Sequence, residues 1–454
     1  MVDRLVVIGG DAAGMTAASQ ARRRLGDTVE VVALERGHHA SYSACGIPYR
    51  VAGDVGSDDD LIARTPEEHR RNGIDLRLRH EVEDIDLHRR DVTVRRVDEG
   101  GTYRLPFDRL VVATGAVPVR PGIDGVDAEG VYGVQTLDDG EAVVGVLERG
   151  TPRRAVVVGA GYIGVEMAEA MLRHGLDVTV VDQAPEPMTT LDPDMGRLVH
   201  DAMEGMGIDV RVATPVERFE VADGRVCGIV AGGETLPADI VVLGLGVRPN
   251  TALPADAGLP LGETGGVRVD MRMEVPGVDG VWAGGDCVET FHLVSQTWGH
   301  VPLGTHANKH GQVIGTNIGG GDATFPGVLG TAMTKVCGLE IARTGLGRTE
   351  ALEAGFEVEA VTIESTTRAG YFPGARSMTV KMLAERGTGR LLGAQIVGGE
   401  GSAKRIDVCA VALWNRMTVA EMTALDLGYA PPFSPVWDPV LVAARKAVVA
   451  VAAG

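Results

Sequence analysis

The sequence pattern that most clearly indicates the fold lies near the start of the chain and reads Leu5-Val6-Val7-Ile8-Gly9-Gly10-Asp11-Ala12-Ala13-Gly14. The apolar run predicts a buried strand, the glycines predict a tight turn, and the residues from Met15 to Leu25 predict a helix. A second apolar run, Val29 to Leu34, ends in the acid Glu35. This order of strand, glycine turn, helix, strand and acid is typical of a Rossmann unit that binds a dinucleotide.

The chain contains a second copy of this pattern. Ala155-Val156-Val157-Val158 leads into Gly159-Ala160-Gly161-Tyr162-Ile163-Gly164, a helical run to Arg173 and a strand that ends before Asp182. The first glycine permits the turn, and the last lets helix and strand pack closely. The amino end of the helix holds a pyrophosphate, and the acid binds ribose hydroxyls. Two copies predict two dinucleotide sites and electron transfer between them.

Two residues distinguish the copies. Asp11 stands where the middle glycine is expected, so its side chain must point away from the phosphates or the pyrophosphate must be displaced. The carboxylate of Asp182 would repel a 2′-phosphate, and residues 183–188 contain no arginine or lysine. The second copy is therefore predicted to favour NADH over NADPH.

Composition narrows the class of protein. The chain has 454 residues, 44% of them apolar, and a formal net charge of -19, which argues against binding to nucleic acid or anionic membranes. No secretory signal is recognised, and the apolar C-terminal stretch is broken by Arg445 and Lys446. The five cysteines are scattered along the chain, which predicts that the protein lies in the reducing cytoplasm and that its cysteines form no metal site. His306 and His310 have helical spacing without a companion acid, which favours a helix surface or a ligand pocket over a metal.

One cysteine has a distinctive context. Cys45 follows the first dinucleotide pattern, stands between small residues and precedes Pro48, as at the mouth of a helix. A helix amino terminus stabilises a thiolate, which is the reactive form of cysteine. Cys45 is therefore the predicted redox nucleophile.

Together these motifs resemble the pyridine nucleotide-disulfide oxidoreductases, and within them the single-cysteine branch. That branch contains coenzyme A disulfide reductases, NADH oxidases, NADH peroxidases and persulfide reductases. The resemblance covers nearly the whole chain and rests on Cys45-Gly46-Ile47-Pro48-Tyr49, Val112-Ala113-Thr114-Gly115-Ala116 and Ala283-Gly284-Gly285-Asp286. Arg50 replaces the second cysteine of the two-cysteine members, which implies an external thiol as the partner of Cys45.

The resemblance implies an α/β fold with two Rossmann-like dinucleotide-binding domains plus a C-terminal α+β dimerisation domain. The expected FAD-binding domain comprises residues 1–115 and 250–330, the NAD-binding domain 116–249 and the dimerisation domain 331–454. Within the last domain, strands are predicted at 356–364, 378–383 and 391–397, and helices at 403–417 and 419–425.

Substrate predictions also come from the resemblance. Ala12 stands where the oxidases and peroxidases have a histidine, which counts against both. Tyr371 and Tyr429 resemble the two tyrosines that coenzyme A disulfide reductases extend into the partner's site, whereas Ala44 replaces an asparagine common in those enzymes. The candidate coenzyme A contacts are Gln20, Arg23, Ser41, Arg71, Asn308 and Lys309.

The predicted protein is a homodimeric FAD-dependent reductase with an active site shared between subunits. It uses NADH to reduce coenzyme A disulfide, or a related small disulfide, through a mixed disulfide at Cys45. Tyr429 is the expected proton donor and Tyr371 positions the substrate. The alternatives within enzymes are a persulfide or polysulfide reductase and an NADH oxidase. An alternative of another class is a redox-sensing or electron-transfer flavoprotein.

Overall fold

The computed structural model describes residues 3–150 and 152–453. The chain first builds a unit with a parallel sheet, helices and a small antiparallel sheet. Its elements are β1 (Asp3–Ile8), α1 (Ala12–Leu25), β2 (Val29–Glu35), α2 (Ile47–Val51), α3 (Pro66–Arg71), β3 (Ile74–Leu78), β4 (His80–Asp86), β5 (Asp91–Arg96), β6 (Thr102–Pro106) and β7 (Arg109–Val112).

A second unit of the same kind follows. Its elements are β8 (Ala116–Pro118), β9 (Val131–Gly133), α4 (Leu137–Glu148), β10 (Arg154–Val158), α5 (Tyr162–Arg173), β11 (Asp177–Val181), α6 (Pro193–Gly205), β12 (Asp209–Arg211), β13 (Val216–Ala222), β14 (Arg225–Ala231), β15 (Glu234–Pro237), β16 (Ile240–Leu243) and β17 (Val247–Pro249). β8 and β17 pair antiparallel, so the chain enters and leaves this unit side by side.

The chain then returns to the first unit with α7 (Ala252–Asp256), β18 (Val281–Ala283), β19 (Thr290–Phe291), β20 (Trp298–Gly299) and α8 (Gly304–Ile318). It ends in a third region with β21 (Ala332–Val336), β22 (Leu339–Gly345), α9 (Arg348–Glu353), β23 (Val358–Thr366), β24 (Ser377–Glu385), β25 (Leu391–Gly398), α10 (Ile406–Trp414), α11 (Val419–Met422) and α12 (Pro439–Ala453).

The two large sheets have the same strand order. The first runs β18-β7-β1-β2-β3 and the second runs β9-β16-β10-β11-β12, and all these neighbours are parallel. Their central strands are buried on both faces; Leu5, Val6 and Val7 have no exposed surface. This explains their uninterrupted apolar sequence.

The third region has an antiparallel sheet, β21-β22-β25-β24-β23, packed with helices. The predicted helix 403–417 is shorter than expected, because a 3₁₀ turn occupies Ala403–Arg405 and Arg416 has a left-handed φ of 54° just after α10. The predicted α/β fold class is confirmed. No helix in the described part of the chain is long and apolar enough to cross a membrane.

Candidate active site

The glycine turn between β1 and α1 has no room for side chains at its two ends. Gly9 has a φ of +111°, and a Cβ there would overlap the carbonyl oxygen of Ala113 at the end of β7. A Cβ on Gly14 would overlap the carbonyl of Gly9. Beside the turn, the Glu35 carboxylate accepts hydrogen bonds from the backbone N–H groups of Gly10 and Gly37, each at 2.7 Å.

The turn between β10 and α5 repeats this geometry. Gly159 has a φ of +99°, and its Cβ would lie 2.5 Å from the carbonyl oxygen of Gly244. A Cβ on Gly164 would overlap the carbonyl of Gly159. The Asp182 carboxylate accepts from the N–H groups of Ala160 at 2.6 Å and Ala184 at 2.8 Å.

The helices at these two turns begin without a side-chain cap, unlike three other helices of the chain. Among the described residues, no side chain caps α1 or α5, whose N-cap residues are Asp11 and Gly161. By contrast, Thr65, Thr136 and Thr418 cap α3, α4 and α11 with their side chains. An uncapped amino terminus leaves N–H groups that bind phosphate well. The two turns therefore fit the pyrophosphates of two dinucleotides.

The remaining predicted flavin residues surround the first turn. The N–H of Ala113 donates to the carbonyl of Ile8 at 2.8 Å. Thr114 and Gly115 bond to Asn250, where the chain returns from the second unit. A Cβ on Gly285 would lie 3.0 Å from the Cβ of Ala13, so the second flavin motif packs against α1. Burial raises the pKa of Asp286 beside it.

Cys45 is exposed and lies in a 3₁₀ turn, Ala44–Gly46, that leads into α2. The N–H of Gly46 donates to the carbonyl of Ser43 at 2.8 Å, and the N–H of Ser43 donates to the carbonyl of Leu61 at 2.9 Å. A Cβ on Gly46 would overlap the side chain of Leu61, so a larger residue beside the cysteine would displace Leu61. Backbone hydrogen bonds thus hold the turn while Cys45 stays exposed.

The expectation of an acidic thiol at Cys45 is wrong for the protein as described. Although the residue is exposed, the protein around its sulfur removes it partly from water, and this raises its pKa. The carboxylates of Glu166, Asp286 and Asp11 raise it further. A backbone hydrogen bond at Cys45 acts in the opposite direction but does not reverse the shift.

Glu166 also belongs to this site, although the sequence patterns did not predict it. It lies on α5 of the second unit and accepts hydrogen bonds from Thr334 Oγ1 at 2.6 Å and Tyr49 OH at 3.2 Å. Burial raises its pKa. It thus joins the second unit, the third region and the segment that carries Cys45. The available signal was an acid two positions after Gly164, on a helix with a mostly buried face.

Tyr371 and Tyr429 lie on neighbouring loops of the third region. The loops are joined by the N–H of Ala369, which donates to the carbonyl of Pro431 at 3.1 Å. Both tyrosines are exposed, by 79% and 48%. Slight desolvation and the neighbouring Tyr371 raise the pKa of Tyr429. The hydrogen bonds of the described residues join neither tyrosine to Cys45 within the chain.

The structure brings together some of the predicted substrate contacts. Helices α1 and α8 pack closely; Gln20 donates to Thr316 at 3.1 Å, and Asn308 accepts from Thr16 at 3.0 Å. Two further predicted contacts, Arg23 on α1 and Lys309 on α8, are exposed.

The other two predicted contacts have partners elsewhere. Ser41 Oγ is bonded to His69 at 2.9 Å. Arg71 ends α3, where it is exposed and 4.0 Å from Glu68.

Both histidines of the i,i+4 pair are buried, so a helix-surface position for them is excluded. Their exposed fractions are 8% for His306 and 1% for His310. His310 Nδ1 accepts from the N–H of Gly285 at 3.1 Å, and burial lowers its pKa to about 3. A neutral His310 therefore holds the second flavin motif, a role that helical spacing alone did not indicate.

A different histidine approaches carboxylates. His39 Nε2 lies 3.3 Å from an oxygen of Asp138 and 3.3 Å from an oxygen of Glu141, and the three potential ligand atoms lie within 4.8 Å of one another. These are also ordinary hydrogen-bond distances between histidine and carboxylate, so we assign no metal to this cluster.

Comparison with known proteins agrees with this geometry. Residues 3–311 match the model of the pyridine nucleotide-disulphide oxidoreductase family, and residues 331–439 match the dimerisation domain of that family. The chain is 36% identical over 448 residues to an NADH oxidase of Methanocaldococcus jannaschii, with 98% of each protein covered. It is 37% identical over 447 residues to an NAD(P)H coenzyme A polysulfide/persulfide reductase of Pyrococcus horikoshii, again with 98% of each covered.

A solved structure is also similar throughout. The NAD-dependent persulfide reductase from A. fulgidus has 40% sequence identity and a TM-score of 0.95, covering 98% of this chain and 83% of that one. The predicted family is thus confirmed: the chain belongs to the pyridine nucleotide-disulphide oxidoreductases and is an FAD- and NAD(P)H-dependent oxidoreductase of that family.

Proposed function

We propose that the protein uses NADH to reduce a sulfur–sulfur bond of a coenzyme A derivative, with coenzyme A disulfide as the first candidate. The observation that carries the proposal is the position of Cys45. Its segment is bonded to the glycine turn of the first unit, whereas Ile47 and Val51 of the same segment pack into the core of the second unit. An exposed sulfur nucleophile thus lies where the two dinucleotide units meet.

Residues of both units would hold the cofactors. The turn Gly9–Gly14, Glu35, Thr114 and Asp286 fit FAD, and the turn Gly159–Gly164 with Asp182 fits NADH. FAD, when bound, supplies a two-electron relay between the nicotinamide and sulfur. The protein's own contribution is to place Cys45 and to hold both dinucleotides in order.

Cys45 acts as the nucleophile. Its thiolate attacks one sulfur of coenzyme A disulfide, which breaks the sulfur–sulfur bond, forms a Cys45–coenzyme A mixed disulfide and releases one coenzyme A thiolate. Two electrons from NADH then reduce the mixed disulfide and release the second coenzyme A. With one added proton, one NADH yields NAD⁺ and two coenzyme A thiols.

The leaving thiolate requires a proton, and Tyr429 of a partner subunit is the proposed donor, with Tyr371 positioning the substrate. A homodimer supports this assignment. The third region matches a dimerisation domain, and its loops expose Tyr371, Phe433 and Trp437 by 79%, 76% and 53%. Contiguous exposed aromatic side chains are typical of protein interfaces.

Coenzyme preference and compartment are parts of the same proposal. Asp182 holds two backbone N–H groups beside the turn, and its carboxylate would oppose a 2′-phosphate, which supports NADH over NADPH. The cysteines of the described residues are all free, which supports a reducing cytoplasm.

The proposal is tested with Cys45→Ser and the matched control Cys227→Ser, since Cys227 is also exposed. We expect Cys45→Ser to keep bound FAD but to lose at least about a hundredfold in NADH-dependent disulfide reduction, because the nucleophile is gone. Cys227→Ser should keep full activity. Rates are measured with NADH and NADPH, and released thiol is quantified. Undiminished reduction by Cys45→Ser would contradict the mechanism.

A second candidate substrate is coenzyme A persulfide. It is favoured by the 40% identity to the persulfide reductase from A. fulgidus. The products separate the two candidates: the disulfide gives two coenzyme A thiols per NADH, whereas the persulfide gives one thiol and one sulfide. Mass spectrometry of the denatured protein, before reduction, shows whether coenzyme A or a sulfur atom remains on Cys45.

A further inference from the structure

The chain that follows the acid is docked on the glycine turn in both units. In the first unit the N–H of Ser41 donates to the carbonyl of Gly10 at 2.9 Å; in the second the N–H of Met188 donates to the carbonyl of Ala160 at 2.8 Å. Ser41 and Met188 also share a left-handed backbone, with φ of 49° and 55°. This docking is a common feature of the two units.

The first unit adds one hydrogen bond that the second lacks the side chain to make. The carboxylate oxygen Oδ1 of Asp11 accepts from the N–H of Tyr42 at 3.2 Å. Gly161 occupies the equivalent place in the second unit. The residue that departs from the glycine pattern is therefore the one that reaches the segment leading to Cys45.

The segment that leads to Cys45 needs stabilising contacts at Ser41. Ser41 is a non-glycine residue in the left-handed region, which costs free energy that its surroundings must offset. Tyr42 comes directly after it, and Cys45 lies three positions beyond Tyr42. Without the Asp11 bond, the segment would keep the Ser41 N–H bond, the bond of Ser41 Oγ to His69 and the contacts with residues 61–63, but no side chain of the described residues would bind the Tyr42 N–H.

Asp11 also acts on Cys45 through charge. Burial is the main reason that the pKa of Asp11 is raised to about 7. The carboxylates of Glu35 and Asp286 raise the Asp11 pKa further, whereas hydrogen bonds from the N–H groups of Tyr42 and Ala12 lower it. When charged, Asp11 raises the pKa of Cys45. Near neutral pH, the hydrogen bond and the charge are thus two separable effects of one side chain.

We propose that Asp11 is a positioning residue: its carboxylate ties the flavin-binding turn to the Tyr42 backbone and so sets the place and reactivity of Cys45. This inference rests on the proposed role of Cys45. It gives a function to the side chain that departs from the glycine pattern.

Two variants separate the hydrogen bond from the charge. Asp11→Asn keeps a carbonyl oxygen that accepts from Tyr42, whereas Asp11→Ala removes the acceptor; both remove the charge. Asp59→Ala is the control, since Asp59 is an exposed acid whose side chain makes no hydrogen bond to the described residues. The FAD-saturated proteins are compared by amide hydrogen exchange at Tyr42 and by the pH profile of Cys45 alkylation, with Cys45 assigned by mass spectrometry.

We expect Asp11→Ala to exchange the Tyr42 amide at least about tenfold faster, and Asp11→Asn to stay within about threefold of wild type. Both should move the midpoint of Cys45 alkylation to lower pH, because a neighbouring negative charge is lost. Asp59→Ala should change neither. A Tyr42 amide unaltered in Asp11→Ala, or an alkylation profile unaltered in Asp11→Asn, would overturn the inference. Neither readout requires turnover, so failure of the proposed substrate would be seen separately.

Discussion

The two dinucleotide units are near copies of one architecture, and they differ at the positions where the chemistry differs. Both have the same strand order, the same glycine turn and an acid that binds two backbone N–H groups. The outermost strand that pairs with β7 in the first sheet is β18, whereas the one that pairs with β16 in the second is β9. The outermost strand of the first sheet therefore follows the whole second unit along the chain.

The acids and their facing residues also differ as pairs. The first unit combines the longer Glu35 with Gly10, and the second combines the shorter Asp182 with Ala160. A Cβ on Gly10 would lie 2.7 Å from the Cβ and 3.0 Å from the Cγ of Glu35. In addition to Gly9 and Gly14, the first unit thus favours glycine at position 10, while the middle position, Asp11, has room for a side chain. In the second unit a Cβ on Gly161 would likewise be 3.9 Å from its nearest neighbour.

The two units are therefore two adaptations of one fold. The second unit keeps a glycine, Gly161, at the middle position of its turn. The first unit uses the freedom at the middle position for a carboxylate directed at the Cys45 segment.

Gly9→Ala and Gly159→Ala should each disable one unit and spare the other. Both residues have positive φ and no space for a Cβ, so we expect more than about tenfold weaker dinucleotide binding in the altered unit. Gly9→Ala should lose FAD absorbance, whereas Gly159→Ala should keep FAD but bind NADH poorly. Gly205→Ala, in α6 with nothing within 4 Å, is the control. Equal loss of FAD in both variants would refute the assignment of the two sites.

The pairs Gly10–Glu35 and Ala160–Asp182 predict a non-additive double variant. Gly10→Ala should destabilise through its contact with Glu35, and Glu35→Asp should weaken the bond to the Gly10 N–H. Combined, they reproduce the second unit's pair of residues, in which a Cβ faces the shorter acid, so we expect a coupling of about 1 kcal/mol in the free energy of unfolding. Denaturant unfolding of the four proteins measures it. Strict additivity would show that the pairing is incidental.

Glu166→Gln should produce the smallest effect, on the ionisation of Cys45. A nearby carboxylate opposes formation of the thiolate, so its removal should lower the Cys45 pKa. Alkylation of Cys45 would then begin at lower pH. Glu148→Gln, at the exposed end of α4, is the control. A shift to higher pH would contradict the electrostatic effect of Glu166 on Cys45.

Sequence patterns predicted the elements whose chemistry is local. The apolar strands, the glycines at Gly9 and Gly159 and the acids Glu35 and Asp182 lie as expected, because each is required by contacts within a short βαβ segment. Glu166 and His310 were not predicted as site residues, because their partners Thr334 and Gly285 are distant in sequence. The pKa of Cys45 was predicted in the wrong direction for the same reason.

The two Rossmann-like units and the family could be read from the sequence alone, because short-range backbone constraints leave a recognisable pattern of glycines and acids. The sequence also made Cys45 the candidate nucleophile, which stays a prediction. Only the tertiary structure decided what surrounds Cys45. Its segment continues the first unit along the chain but packs on the second, and the acids that raise its pKa come from three separate parts of the sequence. Electrostatic effects act through space, and no spacing rule along the chain records them.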